Sequence, residues 1–227
     1  MFPEELGSLY NQCVPTLRMF SIRPPFILRV FDRKYLSCSI PTSEKVIYLT
    51  FDDGPIPEIT PGVLSILEER NIQATFFCVG DNVKKHPDVF AQVSGAGHAI
   101  GNHTFHHLNG WKTPPAEYVE DVHRCNEYLK TALFRPPYGK FTPSQYFLLR
   151  KHFRIILWSV LSGDYNPGIS KEQCLLNVVT HTKPGSIVVF HDSLKAKENL
   201  LYALPRFLDH FLNEGYRFER VVSEVAK

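Results

Sequence analysis

The chain contains no apolar run near the roughly 18 residues that a membrane-spanning helix needs. A recognisable signal peptide is lacking as well. Glu4 and Glu5 stand where a basic leader would begin, and Pro24, Pro25 and several arginines interrupt the later apolar residues. A cytoplasmic location is therefore the expectation from sequence. An excess of one charge is also missing: 25 basic and 23 acidic side chains leave a net charge of +2, which argues against a nucleic-acid partner. Neither a low-complexity tract nor a charge block is present, so extended disorder is expected only at the ends. Cysteine is sparse and scattered. Cys13, Cys38, Cys78, Cys125 and Cys174 are odd in number and include no CxxC. That pattern fits reduced structural thiols better than a disulfide framework or a cysteine-zinc site. The first predicted strand leads into no GxGxxG or phosphate loop, which disfavours a nucleotide-binding sheet. No oligomeric state is indicated.

What is present is core material. Of 227 residues, 44% are hydrophobic and 13% aromatic, enough for one large α/β domain. Strands are predicted at residues 45–51, 74–79, 98–101, 133–134, 154–159, 186–190 and 216–221, most of them near-continuous apolar runs. Helix starts fall between them: Thr60 with Pro61, Thr113 with Pro114, Thr142 with Pro143, and Ser170 with Gln173 as a capping box. A last helix runs to Gly215, with Pro205 kinking it or marking its start. About seven βα alternations imply a parallel sheet buried on both faces, and a closed or partly closed β/α barrel of seven or eight strands fits the length. Residues 1–44 differ from the rest, with Arg18, Arg23, Arg29, Arg33 and Lys34 interleaved among apolar side chains. They read as an N-terminal extension packing on a single barrel domain at 45–227.

Each polar cluster follows a strand. Asp52-Asp53-Gly54-Pro55, His103-Thr104-Phe105-His106-His107, Arg135-Pro136-Pro137-Tyr138-Gly139, Ser162-Gly163-Asp164-Tyr165 and His191-Asp192-Ser193 all lie where strands hand over to helices. In a parallel barrel those positions converge on one mouth. His103 and His107 are four apart, so a single helical turn would aim both imidazoles the same way. A nearby aspartate completes a two-histidine, one-carboxylate cation site with open positions. The other histidines, His106 included, read as surface or capping residues. Consecutive acids on a strand point differently, so one of Asp52 and Asp53 can bind a cation while the other serves as base. Arg135 would keep that base ionised, His191 is the candidate proton donor, and Asp164 would hold its ring and raise its pKa.

From about Lys45 onward the chain resembles the polysaccharide deacetylases, the NodB-homology family of carbohydrate esterases. The DDGP stretch is similar to the first family motif, which implies Asp52 as base and Asp53 as metal ligand. The HTFHH stretch resembles the second, which implies His103 and His107 as metal ligands. Arg135 through Gly139 resembles the third, whose arginine orients the base and whose Tyr138 N–H faces the oxyanion. Trp158 through Tyr165 resembles the fourth, with Asp164 tuning the acid. Val189-Phe190-His191 resembles the fifth, with His191 as acid and Val189 lining the acetyl pocket beside Tyr138 and Tyr165. Leu161 replaces the fourth motif's first acid and Tyr165 its Trp, and Val189 stands where Leu is common. The resemblance implies a distorted β/α barrel and a divalent metal, zinc first, with cobalt, nickel or manganese as alternatives. The implied substrate is an acetylated glycan containing N-acetylglucosamine, peptidoglycan- or chitin-like. Such a polymer conflicts with a cytoplasmic location. Alternatives are an O-acetyl esterase on xylan-like glycan, a hydrolase of another non-peptide C–N bond, a sugar-binding pseudoenzyme, and a mononuclear iron oxygenase.

Overall fold

The computed structural model describes residues 35–222. Most of the expected N-terminal extension, residues 1–34, lies outside the described residues, as do 223–227. The strands are β1 (Leu36–Ser37), β2 (Val46–Asp52), β3 (Thr75–Cys78), β4 (Ala99–Asn102), β5 (Leu133–Phe134), β6 (Arg154–Ile156), β7 (Val160–Leu161), β8 (Ile187–His191) and β9 (Arg217–Glu219). Among the described residues every pairing between these strands is parallel, and an isolated antiparallel bridge joins Ser39 to Ser186. The order is β1-β6-β5-β4-β3-β2-β8-β7, with β9 also on β2.

The predicted strand at 154–159 is divided. β6 pairs with β5 and β7 with β8, and only residues 157–159 separate them. Within that link Leu157 N–H donates to Ser37 O and Ser159 N–H to Ile187 O. Taken as one bent strand, β6–β7 pairs with β5 through one half and with β8 through the other, and β2–β3–β4–β5–β6/β7–β8 closes into a distorted β/α barrel. Leu36 pairs with Ile155, so the sheet begins inside the segment assigned above to the extension.

Among the described residues seven α-helices cover the strands: α1 (Thr60–Glu68), α2 (Gly80–Lys85), α3 (Pro87–Gly95), α4 (Pro115–Leu129), α5 (Pro143–Leu149), α6 (Lys171–His181) and α7 (Lys197–Asn213). The starts of α1, α3, α4, α5 and α6 follow proline or hydroxyl signals, with three differences. Helix α4 begins at Pro115 with no side-chain cap, one residue past the expected Thr113-Pro114 start. Thr60 does not cap α1; its hydroxyl instead donates to Asp192 at 2.6 Å. Ser170 accepts from Gln173 N–H, but the Gln173 amide turns to Asn177, so only half of that capping box forms. At α5 the Thr142–Gln145 box is complete. Among the described residues no helix is long and apolar enough to cross a membrane.

Helix α7 runs through Pro205 rather than starting there, and buries Leu200, Ala203, Leu204, Phe207, Leu208 and Phe211 along one face. Phe207 packs against Phe190 of β8, Phe211 and Phe218 at ring distances of 5.8, 5.1 and 5.7 Å. Phe207→Ala should cost about 3–5 kcal/mol of stability in urea unfolding, because the aromatic cluster cannot collapse into the space. A loss below about 1 kcal/mol would show that this contact does not hold the helix to the barrel.

Candidate active site

The strands deliver their last residues to one edge. Asp52 ends β2 and lies in register with His191, which ends β8. Asn102 ends β4 in register with Cys78 and Phe134, which brings His103 and Arg135 side by side at the next position. A cavity of about 730 Å³ opens there, and its walls include Asp52, Asp53, His103, His107, Tyr165 and His191.

Asp53, His103 and His107 converge. Asp53 Oδ1 is 3.2 Å from His107 Nε2 and 3.8 Å from His103 Nε2, and the three donor atoms lie within 4.8 Å of one another. The Arg135 carbonyl, which can only accept, lies 2.7 Å from His103 Nδ1. It places the ring proton there and leaves the Nε2 lone pair facing Asp53. Burial pushes the His103 pKa down to about 4, with the His107 charge adding to it and Asp52 and Asp53 opposing. Burial raises Asp53, but the His107 hydrogen bond and the charges of His191, His103 and His107 outweigh it, so this carboxyl sits below the usual range. Two imidazole nitrogens and an ionised carboxylate fit a divalent transition cation.

The segment carrying the histidines is a bent loop and not the expected helical turn. Thr104 and His107 have φ of 64° and 55°, values a β-branched or bulky residue rarely adopts. The loop is held by neighbours. Thr104 N–H donates to Asn102 Oδ1, Leu108 N–H to Thr104 Oγ1, and Gly80 and Asp81 N–H to the carbonyls of Thr104 and Phe105. Asp121, buried on α4, accepts from Phe105 and His106 N–H at 2.7 and 3.0 Å. It also pairs with the His106 ring. His106 is exposed, as the surface role expected of it requires, and stands at the edge of the cavity with a carboxylate behind it.

Arg135 is fully buried. It donates to Asp52 Oδ1 at 2.6 Å, Thr50 Oγ1 at 2.8 Å, and the carbonyls of Ile156 and Leu157 at 3.0 and 3.1 Å. Asp164, also buried, accepts from His191 at both its ring Nδ1 (2.8 Å) and its backbone N–H (2.7 Å). Burial alone would lower the His191 pKa. The charge and hydrogen bond of Asp164, with the charges of Asp53 and Asp52, prevail and raise it to about 9.

Tyr138 is exposed with φ of 60°, its ring 4.9 Å from that of His107. Among the described residues no acceptor takes its backbone N–H. Tyr165 packs edge-on against His191 at 4.7 Å. Val189 is not brought to the cavity. It is fully buried below it, and Leu161, its partner across the β7–β8 ladder, lines the wall instead.

One supporting residue, Asp121, was not singled out from the sequence, and a second, Asp192, was named in its cluster but given no role. Asp121 was hidden in the inward stripe of α4 beside Tyr118, Val122 and Cys125. Asp192 is buried, and accepts from Gly54 N–H at 3.1 Å and from the Thr60 hydroxyl. Burial raises its pKa to about 7 against those hydrogen bonds. A Cβ at Gly54 would fall 1.9 Å from Asp192 Oδ2, so the DDGP turn requires glycine there.

Residues 39–152 match the family described as polysaccharide deacetylase. A peptidoglycan-N-acetylglucosamine deacetylase of Bacillus cereus is 34% identical over 202 residues, 85% of this chain and 93% of its own. The chain belongs to the polysaccharide deacetylase family. A chitooligosaccharide deacetylase of Azorhizobium caulinodans is 35% identical over 172 residues, 72% of this chain and 81% of its own. A crystal structure of a peptidoglycan N-acetylglucosamine deacetylase superposes with a TM-score of 0.80 at 31% identity, over 87% of this chain and 95% of that one. Family members are metal-dependent hydrolases of carbon–nitrogen bonds other than peptide bonds, and the Asp53–His103–His107 cluster lies where this deacetylase fold gathers its strand ends.

The geometry assigns the raised pKa of His191 to Asp164. An NMR titration should place the ring near 9, and Asp164→Asn should bring it to about 6.5 or below, since burial then acts unopposed. The pairing stabilises the fold fully below about pH 6.5 and stops doing so as pH rises through about 9. An unchanged titration in the variant would assign the shift elsewhere.

Proposed function

We propose that the chain removes acetyl groups from N-acetylglucosamine units of a peptidoglycan- or chitin-like glycan. One observation carries this reading. A carboxylate fixed on a buried guanidinium and a histidine held charged by a buried carboxylate share one pocket with an Asp–His–His cluster. Binding sugar alone requires neither group. The names of the relatives point to the same substrates.

Asp53, His103 and His107 would hold the cation, and this ligand set with hydrolytic chemistry favours zinc over cobalt, nickel or manganese. When bound, a divalent cation polarises the amide carbonyl and lowers the pKa of water toward about 7. Asp52, oriented by Arg135, takes a proton from the attacking water. The Tyr138 N–H faces the oxygen on which charge develops. His191, protonated at neutral pH, gives its proton to the departing amine, and Asp164 stabilises the imidazolium and keeps the ring in place. Leu161 and Tyr165 supply apolar wall for the acetyl methyl.

Acetate release from chitooligosaccharides, peptidoglycan and acetyl-xylan, before and after metal stripping and reconstitution, tests the reading. Asp52→Asn should retain metal while losing on the order of 10²–10⁴-fold in turnover. Asp53→Asn should lose metal. If Asp52→Asn empties the site and Asp53→Asn does not, the two roles are reversed. Release confined to acetyl-xylan would make the chain an O-acetyl esterase.

A further inference from the structure

Asp192 is a buried carboxyl to which the proposed chemistry gives no task. Taking such a group out of water is costly unless hydrogen bonds replace the solvent, so its partners indicate what it is kept for. They lie in the turn that follows β2. Asp192 Oδ1 accepts from Gly54 N–H at 3.1 Å, and Oδ2 accepts from the Thr60 hydroxyl at 2.6 Å. Thr60 Oγ1 in turn accepts from Ile56 N–H at 2.8 Å. The Asp192 backbone N–H donates to Asp52 O at 3.1 Å.

That turn begins with Asp53, whose φ of 86° lies in the left-handed region that non-glycine residues rarely adopt. Such a conformation persists only where the surroundings over-determine it. Here the carbonyls of Asp53 and Gly54 and the N–H groups of Gly54 and Ile56 all have partners. Asn82 Nδ2 donates to Asp53 O at 2.8 Å, and Val79 N–H to Gly54 O at 3.0 Å. Of the two N–H groups, Asp192 holds one directly and the other through Thr60. A carboxylate can accept at both oxygens. An amide accepts at one atom only, so asparagine in this place would leave either Gly54 N–H or the Thr60 hydroxyl without its acceptor.

We propose that Asp192 is a positioning residue for the cation ligand Asp53, holding the strained turn so that its carboxylate stays beside His103 and His107 before a cation arrives. The proposal rests on the reading of Asp53, His103 and His107 as one cation site, and takes its residue from the hydrogen bonds of the turn. Asp192 follows His191 directly in the chain, so the same anchor sets the spacing between the cation site and the proton donor.

The experiment titrates the metal-free full chain with zinc by calorimetry and follows amide exchange by NMR. Asp192→Asn should weaken zinc binding by roughly 10–100-fold, the range usual for a residue that orients a metal ligand. Thr60→Val, which removes the hydroxyl at nearly constant shape, should weaken it in the same direction, and Thr60→Ser should bind as the parent chain does. In both weakened variants the Gly54 and Ile56 amides should exchange faster in the metal-free protein, while those of Leu49 and Val188 in the barrel strands keep their protection. Faster exchange confined to the turn supports the anchor even if the parent chain binds no zinc, an outcome that would overturn the cation reading alone. Zinc binding that is unchanged in Asp192→Asn and Thr60→Val, or turn and barrel amides that loosen together, would overturn the positioning role and leave the cation site standing.

Discussion

The buried Arg135 guanidinium is the constraint on which the rest depends. A charge taken fully out of water is costly unless it is paired and its donors are used. Here Asp52 supplies the counter-charge, Thr50 Oγ1 and two carbonyls take the remaining hydrogen bonds, and Phe77 lies 4.1 Å beneath the guanidinium. Those partners come from β2, β3, the end of β6 and the β6–β7 link, so the cost is met only when the barrel has closed. The backbone carbonyl of the same residue orients His103. One side chain thus couples barrel closure, the orientation of the base and, through its own backbone, a cation ligand.

Around that centre, similar groups are placed in different surroundings. Asp52 is dry and arginine-bound, Asp53 is half-open among histidines, and Asp192 is buried on Thr60 and Gly54 N–H with its pKa raised to about 7. His103 is pushed down to about 4 by burial and His191 up to about 9 by Asp164. Separating otherwise equal groups in this way lets one pocket hold an acid, a base and a cation site at the same pH. The backbone shares in it: Asp53, Thr104, His107 and Tyr138 all have positive φ. Such strain persists where neighbours over-determine it, as Asp121 and Asn102 do for the histidine loop.

Much of this was legible in the order of residues. Near-continuous apolar strands alternating with proline-started helices implied a parallel barrel, because only burial on both faces tolerates such strands. The polar clusters at strand ends implied a common mouth, because parallel strands all end on the same side. DDGP, HTFHH and RPPYG carried their chemistry in residue type and spacing, which local sequence preserves.

Tertiary structure alone decided the rest. The split of the 154–159 strand into two pairings follows from closing a ring, a demand no local propensity encodes. The histidines converge through a strained loop rather than a helical turn, because Asp121 from another helix supplies the hydrogen bonds that hold it. Leu161 lines the cavity while Val189, its register partner, is fully buried, a difference that appears only once the two strands are packed in the closed barrel. Asp192 stood in the polar cluster after the last buried strand with no role of its own, and its partners Gly54 and Thr60 are brought to it only by folding. The sequence determined which chemical groups are present and which end of the barrel they occupy, because type and spacing are local. Their protonation, orientation and supports depend on partners far away in the chain, brought near only by the folded barrel.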